Sequence, residues 1–463
     1  MLFSSISFLY YFLPLLLFCY FIVPNKWKNI VLLISSLFFY FYGEQLHIWV
    51  LLLSCFMNYL LGIVVEKSNH KKVILVITVA MNLGLLGYFK YVDFFIDNMN
   101  IIFQTEFGLL KVVMPIGISF FTFQTLSYVV DVYRGTVKAN KNFLDFATYV
   151  CLFPQLVAGP IVRYKDVAEE LQSRKHTMTD FERGIRRFVI GLAKKVLLAN
   201  VIGELSVILL EANEASMVGF WVIALSYTLQ IYFDFSGYSD MAIGLGNMFG
   251  FHFLENFNYP LIAKSVTDFW RRWHISLSSW FRDYVYIPLG GNRVSNGKWI
   301  RNILVVWFLT GFWHGAAWNF IIWGIYFAIL LVLEKKIYGK FLEKHRIFGH
   351  FYTVFLILIS FVIFNVSSVN DGILFFKNMF GLGGLPFVTV ETSYYIRSYI
   401  VILVIALIAS TPILTNMLHK LKQKKGLNLF LNGIEPFYYV ALLLIVTAFL
   451  IDSSFNPFLY FRF

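Results

Sequence analysis

The chain is poor in charge and poorer still in cysteine. Only 14% of its 463 residues are Asp, Glu, Lys or Arg, where water-soluble domains carry about 25%, so an ordinary soluble fold is excluded. Cys19, Cys55 and Cys151 are the only cysteines, all in apolar stretches. They are too few and too scattered for a disulfide framework or a zinc site, no other metal site is visible, and all three read as small buried hydrophobes. Acidic residues number 26 against 38 basic ones, but the basic side chains are dispersed over loops. That pattern gives no support to nucleic-acid binding, which needs them on one face. No linker, low-complexity tract or internal repeat divides the sequence, which reads as a single integral domain over 1–463. Leu2 to Val23 lacks a basic leader and a small-residue cleavage site, so it reads as a retained helix rather than a signal peptide.

Apolar text fills the space. Hydrophobic residues make up 59% of the chain, and apolar segments of roughly spanning length begin near Phe8, Ile30, Ile48, Val73, Val112, Phe188, Val218, Ile303, Ala316, Phe351, Ile396 and Phe437. The fold class expected is an all-α polytopic membrane protein with about ten to twelve embedded helices. Basic residues mark alternate loops: Lys26 and Lys28, Lys67 to Lys72, Lys335 to Arg346, Lys420 to Lys425. The positive-inside rule then puts those loops in the cytoplasm and both termini outside, in the cell membrane.

His314 stands out against this background. It lies in Gly311-Phe-Trp-His-Gly-Ala-Ala-Trp318, inside one long apolar run from Asn302 to Leu333. A continuous helix over that run would be about 48 Å long against a hydrocarbon core of about 30 Å. Gly311 and Gly315 are therefore expected to break it and leave the imidazole at a discontinuous or re-entrant point lining a cavity. A titratable group at that depth marks a reaction centre or an ion path, unless it is a core histidine bonded to a neighbouring helix.

A second stretch, Lys264 to Arg301, carries Lys264, Arg271, Arg272, Arg282, Arg293, Lys298 and Arg301 against Asp268 and Asp283. Ser265 or Thr267 is the expected helix cap, with Pro288 and Gly290-Gly291 as breakers. On a helix Trp270, Trp273 and His274 would share a face. Two readings fit. In one, guanidinium groups of Arg271, Arg272 and Arg282 hold phosphates while the Trp270 and Trp273 indoles stack on an adenine, in a cytoplasmic vestibule for coenzyme A. In the other, these are snorkelling arginines beside an interfacial aromatic belt. An intramembrane histidine beside a phosphate-binding vestibule suits acyl transfer from a thioester, with the imidazole as general base.

Two further segments are informative. Ser119, Thr122, Gln124, Thr125 and Ser127 cannot all face lipid, so they imply packing against protein or a polar channel. Asp180 to Lys195, with Arg183, Arg186, Arg187, Lys194 and Lys195, reads as an amphipathic interfacial helix on anionic lipid. Asp131, Asp234 and Asp240 are the acidic residues near membrane depth, and they are expected to hold Arg134 and other packing partners.

Four motifs, Trp270-Arg-Arg-Trp-His-Ile-Ser276, Phe312-Trp-His-Gly315, the Phe153-Pro-Gln to Ala-Gly-Pro160 segment and Tyr232-Phe-Asp-Phe-Ser-Gly-Tyr-Ser-Asp240, together resemble the membrane-bound O-acyltransferase family. Within it the chain is similar to the alginate and peptidoglycan O-acetyltransferase branch, over most of its length. The resemblance implies a ring of tilted helices and re-entrant segments around a central tunnel, with a catalytic core over 114–334. It implies His314 as the catalytic histidine and His274 at the second, more variable position. It also implies acetyl-CoA as donor, an extracytoplasmic SGNH-type partner and a polysaccharide acceptor. The tail 452–463 ends Phe458-Leu-Tyr-Phe-Arg-Phe463 and is similar to an aromatic-Tyr-aromatic ending in the teichoic acid system. That likeness makes Tyr460 a candidate acyl carrier. D-alanyl transfer to teichoic acid and proton-coupled transport are the alternatives.

Overall fold

The computed structural model describes residues 1–452; Tyr460 and the rest of the tail lie outside the described residues. All regular structure among them is helical. Each of the twelve apolar starts lies in a helix or is followed by one within a few residues. Six helices are long and apolar enough to cross a membrane: Ile48–Lys67, Lys71–Phe103, Met217–Met248, Arg346–Asn365, Val390–Ala409 and Gly426–Asp452. The protein is therefore a multi-pass membrane protein. The other apolar segments form helices that are shorter, such as Trp318–Leu333 with 16 residues, or open on charge, as Asn296–His314 does with Lys298 and Arg301.

The chain forms two compact units. The first comprises Met1–Phe188, Met241–Glu255 and Arg282–Tyr284. In it, the helix Ile118–Arg134 carries the polar run, and Ser119, Thr122, Gln124, Thr125 and Ser127 are all buried. They pack against protein: Thr125 Oγ1 donates to the Phe121 carbonyl at 2.9 Å and reaches Asn82 Oδ1 at 3.4 Å, within an Asn58–Asn82 amide pair. Asp131 does not hold Arg134 as expected. It accepts from the Tyr284 hydroxyl at 2.7 Å, while Arg134 donates to the Asp283 carbonyl. Asp283 and Asp166 instead anchor Arg163, each at 2.8 Å. Cys55 and Cys151 are buried thiols here, and Cys19 is half-buried.

The second unit comprises Val189–Asp240, Asn256–Phe281 and Val285–Phe463, described to Asp452. Lys194 and Lys195 belong to it and correct the interfacial reading of their segment. Lys195 pairs with Asp234 at 2.7 Å, both side chains 3% exposed, and Lys194 pairs with Asp240 at 2.7 Å. An amphipathic pattern put these lysines in water; carboxylates on the helix Met217–Met248 bury Lys195 and leave Lys194 only partly exposed, since a buried charge persists only when paired. Arg183, Arg186 and Arg187 of the first unit do stay at its surface, paired with Asp180, Glu182 and Glu255.

The centre of the second unit is the hairpin of Asn296–His314 and Trp318–Leu333. The long apolar run breaks at Gly315, whose φ of −169° and ψ of 159° leave the helix directly after His314. Gly311 does not break it. That glycine stays helical and lets the two helices touch, because a Cβ there would overlap the Phe320 carbonyl, as one on Gly324 would overlap the Trp307 carbonyl. Small residues at such a crossing replace the hydrophobic drive that lipid cannot supply.

Gly311→Ala or Gly324→Ala should lower stability in detergent by about 1–3 kcal/mol, the usual cost of overpacking. Gly297→Ala, where a Cβ meets nothing within 4 Å, should be neutral or stabilising. Melting curves of the three variants check this, and equal melting of Gly311→Ala and Gly297→Ala would refute the close crossing.

Candidate active site

The hairpin places His314 by simple geometry. It is the last residue of the 19-residue helix Asn296–His314, so it stands about 27 Å along the axis from Asn296 at 1.5 Å per residue. Near the first turn lie cations from the return of the hairpin: Lys336 Nζ donates to Asn296 Oδ1 at 2.6 Å and Lys335 sits 4.3 Å from the Trp299 ring centroid. The opposite end is aromatic and nearly dry. His314 is 7% exposed. The rings of Trp313, Trp323 and Phe364 surround it at centroid distances of 5.0, 5.1 and 5.2 Å, all close to edge-on. Asn319 Nδ2 donates to the Phe364 carbonyl at 3.1 Å and ties that wall to the hairpin.

His274 reaches the same neighbourhood by a different route. Ser265 caps the helix Val266–Trp270, its hydroxyl accepting from the Asp268 amide at 3.0 Å. The Glu334 carboxylate accepts from the next two free amides, Val266 at 2.7 Å and Thr267 at 3.1 Å. The helix then stops at Trp270, and Ile275–Phe281 begins a new one. His274 lies between them with φ of +44°, a left-handed backbone that side chains with a Cβ seldom adopt. Trp270, Trp273 and His274 therefore do not share a helical face, contrary to the expectation from spacing. The imidazole is buried, 4.7 Å from the Phe235 ring and 6.2 Å from Trp313. Trp313 thus lies against both histidines.

The other residues singled out by sequence separate. Trp270 and Trp273 belong to the core rather than to an adenine site. Trp270 packs on Trp307, Trp323 and Phe327 at 4.5, 5.6 and 4.9 Å, and Trp273 on Phe257, Phe269 and Phe361 at 5.0, 5.5 and 5.2 Å. With 8% and 5% exposure they offer no free face for stacking. Arg272 pairs with Asp268 at 2.9 Å and reaches the Asn258 carbonyl at 3.3 Å, which fastens the loop before it. Arg282 pairs with its neighbour Asp283 at 2.7 Å and belongs to the first unit.

Arg271 lines a cavity. It contributes, with Lys264, Lys335, Lys340 and Arg346, to a pocket of about 590 Å³ at the start of the helix Val266–Trp270. Asp268, Glu334 and Glu343 also line it, but Glu334 is engaged with the Val266 and Thr267 amides and Asp268 with Arg272. Five cations against three carboxylates, one of them paired with Arg272, leave the pocket net positive, and it is of ligand-binding size. Lys335, Lys340 and Arg346 were assigned to a topological loop by sequence; only the fold brings them to Arg271. Asn256, which meets His274 and in turn donates to Ser239, carries no local signal, because it lies 18 residues from His274 along the chain.

Comparison with known proteins agrees with the motifs. The family model for MBOAT, the membrane-bound O-acyltransferase family, matches residues 33–370. The "Probable alginate O-acetylase AlgI" of Azotobacter vinelandii is 40% identical over 393 residues, covering 83% of this chain and 79% of its own. The "Peptidoglycan O-acetyltransferase" of Helicobacter pylori is 35% identical over 425 residues, covering 83% and 81%. The "Teichoic acid D-alanyltransferase" of Streptococcus thermophilus is 30% identical, over 55% of this chain and 69% of its own. His314, its aromatic surround and the cationic pocket all fall within the matched range, and the chain belongs to the membrane-bound O-acyltransferase family as a multi-pass O-acyltransferase.

Proposed function

We propose that this protein transfers an acetyl group from acetyl-CoA through the membrane, using His314, toward a cell-envelope or secreted polysaccharide. The observation that carries the reading is the hairpin itself, with a buried imidazole at one end and a cationic pocket at the other. Two relatives that match most of this chain bear the names of O-acetylating proteins acting on alginate and peptidoglycan. That supports an acetyl group and a glycan acceptor. Membership of an acyltransferase family removes the transporter alternative. D-alanyl transfer rests on a relative that matches about half of the chain, and it is the weaker reading.

In this scheme Arg271, Lys264, Lys335 and Arg346 hold the phosphates of coenzyme A, as cations do in any phosphate site. The basic loops then mark the cytoplasmic side and both termini face outward. His314 accepts the proton of the attacking hydroxyl; its oxygen bonds to the thioester carbonyl carbon, the C–S bond breaks, and the proton leaves with the thiolate. The Trp323 indole N–H is buried and has no hydrogen-bond partner among the described residues. With its ring 5.1 Å from that of His314, it suits the role of donor to the oxyanion. An SGNH-type partner outside the membrane completes delivery, and Tyr460 is the candidate relay hydroxyl in the tail. His274 supports the reaction from the far side of Trp313.

His314→Ala in nanodiscs should reduce acetyl transfer from labelled acetyl-CoA by about 10²–10⁴, the span of general-base catalysis, with melting unchanged; full activity would remove the mechanism. Arg271→Ala combined with Lys264→Ala should raise KM for acetyl-CoA and weaken its salt dependence while kcat holds, because rim cations act on binding. An unaltered KM would detach the pocket from the donor. Tyr460→Phe should abolish polymer acetylation in the presence of the partner, and wild-type turnover would exclude the tail as relay.

A further inference from the structure

His274 is held by a hydrogen-bond hub centred on one residue, Asn256, and that hub determines which nitrogen of the imidazole carries the proton. Asn256 Oδ1 lies 3.1 Å from His274 Nδ1. The same oxygen accepts from the Ser276 backbone N–H at 3.2 Å and from the Ser276 hydroxyl at 2.9 Å. A backbone amide can only donate, so the atom it meets must be the oxygen of the Asn256 amide. The amide nitrogen is accounted for as well, donating to Ser239 Oγ at 3.0 Å. The Asn256 side chain therefore has one orientation and cannot flip. An acceptor facing Nδ1 at hydrogen-bonding distance requires a hydrogen on Nδ1, which leaves the lone pair on Nε2.

The backbone follows the same plan. The Asn256 carbonyl accepts from the Ile275 amide at 2.9 Å, so main chain and side chain of Asn256 together grip His274 and the two residues that follow it. Those bonds hold the left-handed φ of +44°, a conformation that survives only where its surroundings overdetermine it. Asn256 and Ser239 are buried, as is His274, and the Phe235 and Trp313 rings close the faces. Core packing alone would need none of this directional bonding.

We infer that Asn256 is a positioning residue that fixes His274 as the Nδ1–H tautomer and presents Nε2 as a proton acceptor or hydrogen-bond acceptor in acyl transfer. The inference rests on the reading of His314 and His274 as the site of that transfer, and it goes beyond it by naming the residue that sets the second histidine's chemistry.

The test is nitrogen NMR of [15N]histidine-labelled protein in nanodiscs, with His274→Gln to assign the signal, together with kinetics. The unaltered protein should show a protonated Nδ1 and a lone-pair Nε2 at His274. Asn256→Leu should give a mixture of tautomers and lower kcat by at least about tenfold, the scale of losing an orienting partner, with KM for acetyl-CoA unchanged. Asn256→Asp keeps an acceptor at the same place and should retain the tautomer and most of kcat. An Nε2–H signal in the unaltered protein overturns the inference, as does Asn256→Leu with the tautomer and kcat unchanged. Should Asn256→Leu not fold, the unaltered protein and Asn256→Asp still decide. The shifts are read on the resting protein, so they settle the tautomer even where acetyl transfer itself fails. If His314→Ala abolishes transfer and these results go the other way, Asn256 alone loses its role.

Discussion

Inside a membrane protein a polar group has little water to fall back on, and the pairing of buried charges and helix ends governs much of what is built here. Lys195 is tolerated because Asp234 meets it, and the four-residue break that ends at His274 because Asn256 bonds His274 and the two residues after it. Glu334 is buried because two helix amides use its carboxylate. Remove a partner in such a setting and the remaining group is stranded, at a cost of about 3–5 kcal/mol for a charge. The fold of the second unit is thus as much a set of satisfied polar contacts as an apolar core.

Aromatic residues do the complementary work. Trp270, Trp307, Trp323 and Phe327 pack mostly edge to face in one cluster, and Trp323 carries that cluster up to His314. Edge-on contacts add about 0.5–1.5 kcal/mol per pair beyond area burial. They also exclude water, which strengthens each electrostatic contact made by the imidazole. The His314 ring is thus walled by Trp313, Trp323 and Phe364, each close to edge-on.

Much of this was legible in the residues, and what was not has physical causes. Twelve apolar segments gave twelve helical regions, and Ser265 announced its cap because capping is local chemistry. Gly315 announced the break beside His314 for the same reason. Gly311 was misread: a glycine that ends a helix and one that admits a neighbour look alike in sequence. Lys194 and Lys195 read as surface because their carboxylates come from a helix about 40 residues on. The indoles of Trp270 and Trp273 read as a stacking platform because composition does not reveal which ring already has neighbours. The pocket around Arg271 joins two pieces of chain about 60 residues apart, so only tertiary structure could assemble it.

The segment Ser265–His274 runs beside the hairpin and is fastened to it at three heights: Glu334 near the turn into the basic loop, Trp270 against Trp307 and Trp323 midway, and His274 against Trp313 at the top. Three fastenings make a braced strut, and a braced strut keeps its length. The interval between the cationic cavity and the imidazoles is then a constant of the molecule. Moving one of these ends against the other would have to break at least one of the three fastenings.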